Sequence, residues 1–97
     1  MDGRTKSSSE SFMSTVQHSN LRTIVGEQSE GVNGNINPFK ILGDYTIWWT
    51  GMKVTNPEGS QFLCLGITPD VIVEKTIEGI KQGKDEFLEK AIEIINN

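Results

Sequence analysis

What most constrains this chain is its punctuation. From Gly26 to Gly83, glycine, proline and asparagine interrupt the sequence every few residues, so the middle of the chain can offer only short strands, turns and at most a brief helix. Between Glu27 and Pro38 stand Gly31, Asn33, Gly34, Asn35 and Asn37. They supply positive-φ positions and side-chain-to-backbone bonds in place of a core face, which predicts a loop held in a specific shape. Phe39–Leu42 and Asp44–Thr50 read as strands joined at Gly43. Alternation puts Tyr45, Ile47 and Trp49 on one face and Thr46, Trp48 and Thr50 on the other. Met52–Thr55 keeps β character, and the Asn56-Pro-Glu-Gly59 turn predicts that Ser60–Leu65 returns as the second arm of a hairpin.

Helical signals lie toward the two ends. Ser7 and Glu10 have the S-x-x-E spacing of a capping box ahead of Phe12, Met13 and Val16, predicting a helix over Ser8–His18 that stops near Asn20. Leu21–Val25 follows as a brief buried strand ended by Gly26. Thr76 is the expected N-cap of a short helix running through Gln82 and stopped by Gly83. Asp85 opens the strongest helix, with Leu88, Ala91, Ile92 and Ile95 at three- and four-residue spacing.

Composition narrows the function classes. Ninety-seven residues with a hydrophobic fraction of 35% support one modest core, because so short a chain hides only about three-fifths of its unfolded surface. Nine basic residues against thirteen acidic ones give a net charge of −4 without a basic cluster, so neither a nucleic-acid groove nor an anionic membrane surface is expected as partner. A single cysteine, Cys64, and a single histidine, His18, exclude a disulfide framework and a Cys/His metal cage. No apolar run has the length of a membrane span or a secretory h-region, and nothing assigns a compartment.

Taken in order, the motifs Ser7-Ser-Ser-Glu10-Ser-Phe12, Val25-Gly-Glu27 with Gly31-x-Asn-Gly34, Trp49-Thr-Gly-Met-Lys-Val54, Glu58-Gly-Ser60, Gly66-Ile-Thr-Pro-Asp70, and Gly83-Lys-Asp85 with Leu88-Glu-Lys-Ala91 carry a resemblance. The chain resembles the C-terminal part of the tail-specific or C-terminal processing serine peptidases, whose relatives include the tricorn core protease. The resemblance covers nearly the whole chain and implies an α/β fold of the ClpP/crotonase-like type. In it a nucleophilic serine stands at a helix start directly after a strand, with a β-hairpin and C-terminal helices following, so residues 1–97 form an incomplete catalytic domain. Carried over by position, the nucleophile falls on Ser7, and the backbone N–H of Ser8 is an oxyanion donor. A helix start suits that chemistry, because its free N–H groups and dipole stabilise a developing oxyanion. The same S-x-x-E residues are equally satisfied by a plain helix cap, and three adjacent serines leave the register open by one residue.

The remaining parts of a serine machine are not matched. One branch of the family takes its base from a lysine in a G-E-x-x-x-G-K stretch; here that stretch ends Gly31-Val32, and valine accepts no proton. The tricorn-like branch uses an upstream histidine and an acid shortly before the G-x-x-P-D turn, but Gln61–Leu65 holds no carboxylate. His18 falls at the far end of the Ser7 helix, more than about 15 Å away. Glu27 and Glu30 read as solvated loop carboxylates, and Gly31-Val-Asn-Gly34 lacks the lysine of a phosphate-binding loop. Of Trp48 and Trp49, one is expected in the core, and Cys64 is expected as an inert buried thiol.

The expected function is therefore a serine-peptidase fragment that hydrolyses polypeptides when complete and is inactive alone, with no cofactor and no metal. The alternative is a non-catalytic interaction or oligomerisation module pairing through the exposed edge of the strand before Ser7.

Overall fold

A computed structural model describes all 97 residues. The elements are α1 (Ser8–His18), β1 (Val25–Gly26), β2 (Ile36–Lys40), β3 (Thr46–Thr50), β4 (Val71–Ile72), α2 (Ile77–Lys81) and α3 (Glu86–Asn96). The architecture is mixed α/β. β1 and β4 pair in parallel with Val25 opposite Val71, and the start of the chain extends this layer. The Met1 amino group donates to the Val25 carbonyl, and the Met1 carbonyl accepts from Glu27 N–H at 2.9 Å. Gly26 faces this crossing, where a side chain would collide with the Met1 backbone.

Ile24, Phe62 and Ile67 form the buried centre, with Met1, Met13, Val16 and Val54 packed around it. Helix α1 ends where Asn20 takes a positive φ of 49°, as its sequence position predicts. Met13 and Val16 reach the core while Phe12 stays in solvent. In α3, Leu88, Ile92 and Ile95 of the predicted apolar face are exposed.

β2 and β3 form an antiparallel hairpin in which Phe39 opposes Ile47 and Asn37 opposes Trp49. Every residue of both strands is exposed, including Trp48 at 64% and Trp49 at 53%, which corrects the expectation that one tryptophan is core. The hairpin makes the molecule long and thin, 58 × 37 × 16 Å. Its radius of gyration is 17.1 Å, against about 12–13 Å for a compact chain of this length.

Several strand expectations shift. The strand expected over Leu21–Val25 is Val25–Gly26, and β2 begins at Ile36, inside the stretch read as loop. Pro38 fits there because each strand of a two-stranded hairpin is an edge. The second arm expected over Ser60–Leu65 reduces to one bridge, Thr55 to Gln61. Beyond it the chain turns, with Leu65 and Gly66 N–H both donating to the Phe62 carbonyl. That turn brings Cys64 to the surface with a φ of 65°, so it is not the buried thiol expected.

The two C-terminal helices are joined by one carboxylate. Thr76 caps α2, its Oγ1 accepting Gly79 N–H at 2.9 Å, and Asp85 caps α3 by accepting Leu88 N–H at 3.1 Å. Glu86 lies across buried Gly79 and accepts both the N–H and the hydroxyl of Thr76 at 2.7 Å. A Cβ on Gly79 would stand 2.5 Å from the Glu86 carboxyl carbon. These Thr76 bonds hold the Glu86 carboxyl below its ordinary value of 4.5, the backbone bond contributing most. A lowered folded pKa means that the junction is stabilised above pH 4.5 and loses that stabilisation as the pH falls below it through the folded value. Acid titration followed by the Thr76 and Gly79 amide resonances should show the junction loosening in that window. Glu86→Gln should remove the pH dependence.

Candidate active site

Ser7 stands between the paired first residues and α1. The entry is a tight turn in which Thr5 N–H donates to the Asp2 carbonyl at 2.9 Å. Asp2 binds the Arg4 guanidinium at 3.0 Å and the Lys75 ammonium at 2.7 Å. Those two partners, Arg4 foremost, hold the Asp2 carboxyl far below the usual carboxylate range. The chain then passes through Ser7 at φ 54°, ψ −125° and enters the helix at Ser8.

An ordinary N-cap residue is extended with negative φ. Ser7 and Glu10 stand in capping-box register, and the well-made half of the box is Ser7 N–H to Glu10 Oε2 at 3.1 Å; the hydroxyl half does not reach hydrogen-bond geometry. A non-glycine residue in this conformation costs on the order of 1–3 kcal/mol and needs surroundings that impose it. A serine at a strained turn from extended chain into helix presents its hydroxyl outward, as nucleophile elbows do. Among Ser7, Ser8 and Ser9, all exposed, only Ser7 has this backbone. Ser8 N–H has no acceptor within the chain, and an open cleft of about 390 Å³ lined by Thr5, Ser8, Ser9 and Phe12 lies beside it.

Glu10, read from sequence only as a cap partner, is wholly buried, 0% exposed. Its Oε1 accepts the Ser29 hydroxyl at 2.6 Å and Gly31 N–H at 2.7 Å, while Oε2 takes Ser7 N–H. Ser29 Oγ accepts Ile67 N–H at 2.8 Å in turn. The S-x-x-E spacing points to the Ser7 contact. No local signal points to the others, whose donors lie far along the chain.

The Val32 carbonyl also accepts Ser7 N–H, at 2.8 Å, so residue 32 adjoins Ser7 and brings an isopropyl group without a proton acceptor. Asn33 continues the contact, donating to Ser11 Oγ at 2.9 Å. The Gln61–Leu65 stretch reaches the same region, since Cys64 N–H donates to the Gly31 carbonyl at 2.9 Å, and it presents no carboxylate. His18 is held elsewhere. Its Nδ1 lies 2.8 Å from the Ser14 carbonyl and its Nε2 3.6 Å from Glu58, at the end of α1 about 16 Å from Ser7. Glu58 itself sits below its ordinary pKa, chiefly through the Ser60 hydroxyl. Glu27 and Glu30 are separate. Glu27 accepts Gly3 N–H at 2.9 Å, and Glu30 pairs with Lys6 at 3.6 Å.

The model of peptidase family S41 matches residues 1–73, and the chain belongs to that family. A search of curated protein sequences finds no match. A candidate peptidase from Parabacteroides merdae superposes with a TM-score of 0.79 at 23% identity, over 93% of this chain and 28% of that one. The tricorn protease superposes with a TM-score of 0.75 at 23% identity, over 92% of this chain and 9% of that one. The fold is thus that of a peptidase segment, and the chain spans a minor part of each matched structure. No helix is long and apolar enough to cross a membrane.

If the backbone at Ser7 is strained for a purpose other than stability, glycine there should be better tolerated than serine. Ser7→Gly is expected to stabilise the chain by about 1 kcal/mol, and Ser7→Ala to leave it nearly unchanged, as read by thermal or urea unfolding.

Proposed function

We propose that this chain is the nucleophile-bearing C-terminal portion of a serine peptidase domain of the tail-specific or C-terminal processing type, nearer to the tricorn-like branch. The observation that carries the reading is the backbone of Ser7. It is a non-glycine residue at φ 54°, ψ −125° on the threshold of a helix, next to an unpartnered Ser8 N–H.

In the reaction, Ser7 Oγ attacks the carbonyl carbon of a polypeptide substrate and passes its proton to a base. The Ser8 N–H donates to the resulting oxyanion, the amine leaves with a proton, and water releases the acyl group from Ser7. Neither Val32, Glu10 nor His18 serves as that base. Val32 carries no proton acceptor, Glu10 is occupied by three donors, and His18 is a helix length away. The reading assigns the base to a histidine-bearing segment outside these residues, so the chain alone is inactive.

Fluorophosphonate labelling tests this. The 97-residue chain should remain unlabelled by itself and become labelled at Ser7 when joined to a histidine-bearing upstream portion of an S41 domain, with Ser7→Ala abolishing the label. Stoichiometric labelling of the chain alone would overturn the assignment of the base.

The two-sided exposed hairpin favours a second reading, a non-catalytic module that associates through open strand edges and apolar faces. Light scattering after size exclusion separates the readings. A discrete dimer or trimer supports the module, and a monomer counts against it.

A further inference from the structure

The proposed mechanism leaves the most deeply buried polar side chain of the molecule without a task. Glu10 is 0% exposed, and its two oxygens receive three donors from two segments: Ser7 N–H at the helix start, and the Ser29 hydroxyl and Gly31 N–H in the loop after β1. Through Ser29 Oγ the same carboxyl group is tied to Ile67 N–H, at the turn that leads to β4. One side chain thus fixes Ser7 against two other segments. Val32, one residue beyond Gly31, closes the arrangement by accepting Ser7 N–H at 2.8 Å. Helix capping alone needs the Ser7 contact and nothing more.

We infer that Glu10 is the positioning residue that imposes the left-handed backbone of Ser7, by anchoring the Ser7 N–H to the same buried carboxyl group that holds Gly31 and Ser29. The strained conformation then persists because the Ser7 N–H has its acceptors only there. If the backbone relaxed to negative φ, the N–H would turn away from Glu10 Oε2 and the Val32 carbonyl. The catalytic meaning of this rests on the peptidase reading of Ser7; the conformational claim does not.

Glu10→Gln is the informative variant because it keeps size and removes one acceptor. Turned so that its carbonyl serves both Ser29 and Gly31, the amide points its NH2 group at Ser7 N–H, donor against donor. The expected result, by NMR on the 97-residue chain, is a folded protein with Ile24, Phe62 and Ile67 side-chain signals unmoved. The Ser7 one-bond Cα–Hα coupling should move away from its positive-φ value, and exchange of the Ser7 amide should quicken about tenfold. A folded Glu10→Gln protein with Ser7 still at positive φ overturns the inference.

Should that variant not fold, Ser29→Ala decides instead. It removes a donor to Oε1 without touching Ser7, and it should quicken exchange at both Ile67 and Ser7. Quickening at Ile67 alone would show that Glu10 does not couple the two and would overturn the inference. Fluorophosphonate labelling at Ser7 of the joined protein reports separately on the peptidase reading, so the two can fail independently.

Discussion

The structure depends on one buried carboxyl group receiving three hydrogen bonds. Around Glu10 the helix start at Ser7, the loop at Ser29–Gly31 and, through Ser29, the turn at Ile67 are drawn to one point. A polar side chain taken out of water is tolerated only when its hydrogen bonds are made, and then it specifies geometry more sharply than apolar contact does, because each bond has a direction. With only three apolar side chains in the buried centre, packing contributes little of that specificity. The parallel pairing of Met1 and β4 on either side of β1 supplies the platform, and Glu10 sets how the site lies on it.

Legibility in the sequence followed the range of the forces. Helix α1 has the bounds that Ser7, Glu10 and Asn20 predict, and α2 and α3 begin at Thr76 and Asp85, because capping is decided within a turn of chain. The alternation in β3 places Trp48 and Trp49 on opposite faces as expected, but alternation says nothing of whether a face is covered, and neither is. Asn35–Pro38 reads as loop by composition, yet Ile36–Lys40 pairs as a strand because Thr46–Thr50 is there to pair with. Cys64 reads as buried from its apolar neighbours and is exposed because the Phe62 carbonyl draws two N–H groups into a turn.

The site shows the same division. Motif order marked Ser7 and Ser8 and the family resemblance, and the family match bears out the resemblance at the level of S41. What sequence spacing left open was which of three serines differs from the others, a matter of backbone angles at Ser7 alone. The partners of Glu10 at Ser29 and Gly31 were out of reach, since donors nineteen and twenty-one positions away follow no local pattern.

The positive-φ residues carry a consequence for how this protein can vary. Eleven residues, seven of them glycine, hold left-handed backbone, and several glycines are pressed against other main chain, as Gly31 is against Cys64 and Leu65. Shape here is stored mostly in the path of the main chain and much less in interlocking side chains. Such a scaffold can exchange most of its residues while keeping its outline, provided the glycines and one buried carboxyl group stay. A superposition with a TM-score of 0.79 at 23% identity is what that kind of storage permits.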